Sequence, residues 1–182
     1  MDRGEACRTS EGSVRQFSIP TDYAGVHFRS RLEAKWAAFF DLAKWRWDYE
    51  PLDLLGYVPD FLLTFPSGRI AVEVKPIAWD GTDGDAAIIG PARSKLLSWD
   101  GDALMLGAFV QDRFAELREG GTWGPAFVFR CLDCGAISFA PEDGSWQCRV
   151  SGCYAGKRHI DPSFDRVAAF KAASNTVQWV PR

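Results

Sequence analysis

A chain of 182 residues is long enough to bury one proper core with a small appendage, and no stretch of it approaches the apolar length of a membrane span. The formal net charge of -3 argues against a general nucleic-acid coat, yet it leaves room for a local basic surface, because carboxylates gathered around a metal ion count toward the total. No secretory signal pattern opens the chain and its five cysteines leave Cys7 over, so a reducing, cytoplasmic setting is expected.

Residues 1–22, with Arg, Glu, Ser and Gly and little periodicity, read as a flexible arm. Beyond Phe28, Leu32, Trp36, Phe39, Phe40 and Ala43 recur at helical spacing and define a buried stripe, with Ser30 placed to cap the start and Lys44 where the helix dipole favours a cation. Glu33 lies at the edge of that stripe, turned partly toward whatever the helix packs on; a surface pair with Arg29 is the plain alternative. A strand from Trp45 to Tyr49 follows, and Pro59 restricts Val58 to extended backbone before a strand that Asp60 opens. After a turn at Pro66-Ser67-Gly68, a further strand places Ile70, Val72 and Val74 on one face and Ala71, Glu73 and Lys75 on the other. Asp80 to Asp85 resembles a calcium loop only superficially, lacking the later bidentate Glu, and is expected as a flexible loop beside the site. A short amphipathic helix is expected over Ala92 to Trp99, burying Leu96, Leu97 and Trp99 and leaving Arg93 and Lys95 solvated, with a strand over Ala103 to Val110 after it.

Asp60, Glu73 and Lys75 bring two carboxylates and an ammonium to one point. Hard oxygen ligands suit Mg²⁺ or Mn²⁺, which keep several waters and share a phosphate oxygen with the protein. Such an ion polarises a phosphodiester and acidifies a bound water, and Lys75 is placed to orient that water. The plain reading of the same residues is a surface hairpin with a cross-strand ion pair.

Downstream, Cys131-Leu-Asp-Cys134 and Cys148-Arg-Val-Ser-Gly-Cys153 flank a short hairpin expected over Ala136 to Ala140 and Ser145 to Gln147. That is zinc-ribbon spacing, and four thiolates at about 2.3 Å suit tetrahedral Zn²⁺; disulfides are the alternative. His159, near Lys157 and Arg158, reads as a surface residue that could replace one ligand. From Arg149 to Arg182 six Lys or Arg stand against Asp161 and Asp165, which suits phosphate contact or, equally, the wet side of a terminal helix over Pro162 to Ala173 that buries Phe164, Val167 and Phe170. Of eight tryptophans, Trp36, Trp45, Trp47 and Trp99 fall in the expected core, and Trp79, Trp123, Trp146 and Trp179 lie near loops, where stacking on bases is open to them.

Taken together, Ser30-Arg-Leu-Glu33, Tyr49-Glu-Pro51, Tyr57-Val-Pro-Asp60 and Glu73-Val-Lys75 resemble the PD-(D/E)xK, or restriction-endonuclease-like, nuclease superfamily. The nearest branch in motif holds endonuclease subunits of heteromeric transposases, small phage nucleases and junction resolvases, and the resemblance runs from Tyr23 to Val110. It implies an α/β fold: a restriction-endonuclease-like core over 23–125 with a central mixed sheet flanked by helices and the site on the sheet's edge. A four-cysteine zinc ribbon at 126–160 and a C-terminal helix and tail at 161–182 complete the expected organisation. It further implies that Asp60, Glu73 and the carbonyl of Val74 hold Mg²⁺ or Mn²⁺, that Lys75 assists the water, and that Glu33 completes or supports the metal site. Lys95 is the implied additional residue on the following helix, with Arg93 behind it. The implied activity is endonucleolytic hydrolysis of DNA by metal-activated water, leaving a 5′-phosphate, with a second copy or a second nuclease or recombination subunit as partner and no membrane. The alternative is a catalytically silent or partner-dependent DNA-binding module of the same fold, and an iron–sulfur cluster competes with structural zinc for the four thiolates.

Overall fold

The computed structural model describes residues 18–79, 83–110, 115–143, 146–153 and 159–177. A hairpin, β1 (Thr21–Tyr23) and β2 (Val26–Phe28), leads into helix α1 (Arg31–Ala43). Ser30 starts that helix: its hydroxyl accepts the Glu33 N–H at 3.2 Å and donates to Glu33 Oε1 at 2.7 Å, so cap and carboxylate are fixed together. Lys44 ends α1 in the left-handed conformation, φ 58°.

Strands β3 (Arg46–Tyr49), β4 (Phe61–Phe65), β5 (Gly68–Val74), β6 (Asp102–Leu106), β7 (Ala115–Glu119), β8 (Thr122–Arg130) and β9 (Ile137–Pro141) form one seven-stranded sheet in chain order. Neighbours are antiparallel except β5 and β6, which run parallel because helix α2 (Asp83–Lys95) and a 3-10 turn (Leu96–Ser98) lie in the connection between them. Helix α3 (Arg166–Asn175) packs on α1. The fold is α/β, a mixed sheet flanked by helices.

Strand alternation sorts the side chains into two layers. Phe61, Leu63, Ile70, Val72, Val74, Leu104 and Leu106 join Trp36, Phe39, Phe40 and Phe170 in the large core. Leu62, Ala71 and Ala103 pack against Leu96 and Trp99, and Met105 packs against Ala92, on the α2 side. Trp36 is the centre of the first layer: its ring lies 5.6 Å from Phe39 and 4.7 Å from Phe170, centroid to centroid, and its indole N–H donates to the Gly107 carbonyl at 2.9 Å. Because α3 covers α1 from outside, Ala34, Ala37 and Ala38 are buried beside the expected stripe.

The structure revises several expected boundaries. Thr21–Tyr23 is a strand, so the N-terminal arm is shorter than 22 residues; residues 1–17, with Cys7, lie outside the described residues. The helix expected over Ala92 to Trp99 starts at Asp83 and stops at Lys95. Gly84, Gly90 and Pro91, all weak helix formers, mask it in the sequence, while Ile88, Ile89 and Ala92 supply its packed side. The end of the expected loop, 83–85, is therefore its first turn, and 80–82 lie outside the described residues. Leu97 is exposed, since the chain tightens after Lys95 and only Leu96 and Trp99 turn inward.

The expected strand over Ala103 to Val110 ends at Leu106, and β7 and β8 are additional, joined at Glu119-Gly-Gly-Thr122, a two-residue hairpin signal. A boundary at 125/126 would cut β8, and β9 pairs back onto β8; of the second strand expected over Ser145 to Gln147, 145 lies outside the described residues and 146–147 are in no strand. The cysteine segment is thus an outgrowth of the main sheet. Helix α3 begins at Arg166, capped by Asp165 through the Ala168 N–H at 2.8 Å, and its inward side is Phe170 and Ala173 with Val177 beyond, which leaves Val167 exposed. Among the described residues no helix is long and apolar enough to cross a membrane.

Candidate functional site

The antiparallel register pairs Phe61 with Val72, and one step further brings Asp60 opposite Glu73 at the end of β5. Both carboxylates are buried. Asp60 Oδ2 accepts the Val74 N–H at 2.7 Å and Oδ1 accepts from the Arg29 guanidinium at 2.7 Å. Glu73 Oε1 accepts from the Lys75 ammonium, and Glu73 Oε2 has no hydrogen-bond partner. Burial, followed by the charge of Glu73, pushes the Asp60 carboxyl up to about 7, against the pull of the Val74 N–H and Lys75. Asp60, Glu73, Val74 and Lys75 are therefore together as expected, at strand ends in the interior of the sheet, since β4 and β5 are the second and third of its seven strands and not its edge.

Glu33 reaches the same cluster from α1, and its charge contributes to holding the Asp60 proton. Its two oxygens are engaged, Oε1 by Ser30 and Oε2 by the Tyr49 hydroxyl at 2.7 Å. Burial, with Glu33 as an added cause, pushes Tyr49 up to about 12 despite the Arg29 N–H donating to the same oxygen at 3.1 Å. Arg29 pairs with Asp60 and with Glu50 at 2.7 Å, not with Glu33. Tyr49 and Arg29 stand within or beside the motif segments, but their pairing with Glu33 and with Asp60 shows only in the folded chain. A groove of about 510 Å³ runs along this cluster, lined by Glu33, Val74, Lys75, Lys35 and Phe109.

Lys95 lies at the end of α2, exposed, with its ammonium 5.1 Å from the Tyr57 ring centroid. Arg93 is committed elsewhere: its Nε donates to the buried Glu116 at 2.8 Å, and its guanidinium lies 5.6 Å from the Trp123 ring. Glu116 sits in the same cross-sheet row as Glu73, with Met105 between them. Arg93 is thus a packing and charge-pairing residue of the α2 side and not a solvated one.

Asp60 and Glu73 are two buried acids side by side, and the charge of Glu73 adds to burial in raising Asp60. Protein donors already engage both acids, Arg29 and the Val74 N–H on Asp60 and Lys75 on Glu73.

At the other end of the sheet, Cys131, Cys134 and Cys153 bring their sulfurs within 4.8 Å of one another. Cys148 lies outside that mutual set but stands 3.8 Å from Cys134, sulfur to sulfur. Tetrahedral thiolates about 2.3 Å from zinc are about 3.8 Å apart, so the three close cysteines suit a metal such as zinc, with Cys148 within reach of the fourth position. All four are free of disulfides.

The backbone explains the unequal spacing of the pairs. Gly135 N–H donates to the Cys131 carbonyl at 2.8 Å and Gly152 N–H to the Cys148 carbonyl at 2.8 Å, with both glycines left-handed at φ 71° and 69°. These are matching turns in which Ser151 occupies the place of Cys134, and Cys153 comes one residue after the glycine. Cys148 N–H then donates to the Cys153 carbonyl at 3.1 Å and draws that residue back. Ser151 donates to Cys134 Sγ at 3.0 Å. Burial works against the Cys134 thiolate, but the Ser151 hydroxyl and the Ala136 N–H prevail and bring it down to about 7; burial pushes Cys131 up to about 11.

His159 is tied to Asp133 at 2.8 Å. Arg149, counted above among basic residues suited to phosphate, instead bridges Asp102 at 3.0 Å and Glu119 at 2.7 Å with its backbone N–H on Ser138. It anchors the second cysteine turn to β6 and β7. Lys157, Arg158, Trp179 and Arg182 lie outside the described residues. Comparison with protein-family models, with curated proteins and with solved structures returns no match.

Proposed function

We propose that the protein is a Mg²⁺-dependent DNA endonuclease of PD-(D/E)xK type, with its cysteine outgrowth holding a structural zinc ion. The observation that carries this reading is the buried Asp60–Glu73 pair at adjoining strand ends, with Lys75 on one Glu73 oxygen. Two buried acids side by side destabilise a fold unless a cation or a proton answers them, and clusters of that kind mark functional sites. The motif resemblance and the mixed sheet with helices on both faces support the same assignment.

Asp60 and Glu73, with the Val74 carbonyl, would hold the ion, and Mg²⁺ bound there supplies polarisation of the phosphodiester and acidification of a water. Lys75 orients the attacking water from the Glu73 side and offsets charge on the phosphate. Glu33, locked by Ser30 and Tyr49, holds negative potential at the site without moving. Water oxygen bonds to phosphorus, the bond to the 3′ oxygen breaks, and the products are a 5′-phosphate and a 3′-hydroxyl. Lys95, exposed and 5.1 Å from the Tyr57 ring, would lend positive charge to the phosphate.

The engagement of Asp60 by Arg29 and Val74, and of Glu73 by Lys75, favours a second reading, a partner-dependent or silent DNA-binding module in which these pairs are permanent. Incubation of supercoiled, linear, single-stranded and junction DNA with Mg²⁺ or Mn²⁺ tests both. Cutting that needs the metal and disappears in Glu73→Gln is the expected result. Binding without cutting by a folded, zinc-replete protein would transfer the assignment to the second reading.

A further inference from the structure

We propose that the groove beside Glu33 and Lys75 takes a single strand of DNA, with Phe109 stacking on an unpaired base and Arg31 and Lys35 contacting the phosphates that flank it. The assignment rests on the nuclease reading above and names the class of substrate that the site takes.

Helix α1 supplies the cationic wall. Arg31 and Lys35 stand four residues apart, so they share one face of the helix, and both line the groove of about 510 Å³ together with Glu33, Lys75 and Phe109. Arg31 is the first residue of α1, where the helix dipole disfavours a cation. Among the described residues neither Arg31 nor Lys35 has an ion-pair partner, and Arg31 Nε has no hydrogen bond. Glu33, the acid on the same helix, is already held by Ser30 and Tyr49. Two cations that the fold leaves unanswered, beside Lys75, make a place for a chain of anions, and a nucleic-acid backbone carries one at every nucleotide.

Phe109 supplies the stacking surface. It follows β6 on a segment pinned on both sides: the Gly107 carbonyl accepts the Trp36 indole N–H at 2.9 Å, the Ala108 N–H donates to the Ile77 carbonyl at 2.8 Å, and Val110 is buried. A Cβ at Gly107 would come within 2.7 Å of the Ile77 carbonyl, so only glycine lets the two segments lie this close. Between those anchors Phe109 is 54% exposed, and Ile19, also exposed, lines the same groove. An aromatic ring held out to solvent on a fixed backbone, next to cations, is what single-strand binding uses, because every base has a π face and the cations follow the phosphates. Inside a duplex both faces of each base are covered by its neighbours, so this ring is open only to an unpaired base. A groove with the volume of a small-molecule pocket admits a nucleotide and not a double helix.

Fluorescence anisotropy with a fluorescein-labelled single strand, and with a duplex of the same sequence, measures binding apart from cutting when magnesium is left out. The single strand should bind about tenfold or more tightly than the duplex. Phe109→Ala should weaken single-strand binding by about tenfold, Phe109→Trp should preserve it, and neither should move duplex binding. Arg31→Gln and Lys35→Gln should each flatten the slope of log affinity against log salt by about 0.7 for the single strand, with urea unfolding midpoints no lower than wild type. Equal affinity for strand and duplex, wild-type binding by Phe109→Ala, or an unchanged salt slope in both glutamine variants would overturn the proposal. Glu73→Gln, incubated with the single strand and Mg²⁺ beside the wild type, tests the nuclease reading separately. Glu73-dependent cutting alongside any of those overturning results would keep the nuclease reading and remove the single-strand groove. The expected binding pattern in a protein that does not cut would remove the nuclease reading and keep the groove.

Discussion

Replacing Asp60 by Asn tests whether the acidic pair is poised for a cation. The Asp60 carboxyl binds its proton more tightly in the folded chain, at about 7, than at its ordinary value of 3.8, because burial and Glu73 both disfavour the charge. Between those values the folded chain keeps a proton that the unfolded chain has released, so stability falls as pH rises through the window and the loss is complete above it. A change of that size corresponds to at most about 4 kcal/mol at roughly 1.4 kcal/mol per tenfold in proton affinity. Relaxation and water penetration reduce such burial penalties, so a measured difference of about 2 kcal/mol is the reasonable expectation. Asn retains an acceptor for the Val74 N–H and carries no charge. Without divalent metal, Asp60→Asn should be the more stable protein at about pH 8 and lose that advantage at about pH 5, in paired urea titrations. Mg²⁺ should raise the melting temperature of the wild type at the higher pH and leave the variant unmoved. An Asn variant less stable than wild type by the same amount at both pH values would refute the reasoning, since Asp60 would then be an ionised structural acceptor satisfied by Arg29 and Val74.

Lys75→Met should lower the maximal cleavage rate by about a hundredfold or more while leaving DNA binding close to wild type, as single-turnover kinetics would show. Tyr49→Phe strands the buried Glu33 Oε2 and should cost about 1–3 kcal/mol in urea unfolding. Cys134→Ser should abolish stoichiometric zinc by elemental analysis and lower the melting temperature by about 10 °C, whereas unchanged folding after chelation would count against a structural metal. Trp36→Ala empties the centre of the α1–α3 layer and should destabilise the fold by about 3–5 kcal/mol, with no change in the metal dependence of whatever remains folded.

Local pattern alone carried the aromatic stripe of α1, its Ser30 cap and the two-faced strand with Glu73 and Lys75, because helical and strand periodicities depend only on neighbours along the chain. The pairing of cysteines into turns was legible for the same reason, since Gly135 and Gly152 announce the left-handed residues that each turn needs. Other features depend on residues far apart in sequence. Helix α2 is held by the packing of Ile88, Ile89 and Ala92 beneath the sheet, which outweighs the low propensity of Gly84, Gly90 and Pro91. Arg149 looked like a free basic residue until Asp102 and Glu119, from two other strands, were brought to it. The same holds at the site. Spacing could propose Asp60, Glu73 and Lys75, but the tertiary structure alone placed Arg29 on Asp60 and closed Tyr49 over Glu33, because burial and register decide which polar groups find a partner.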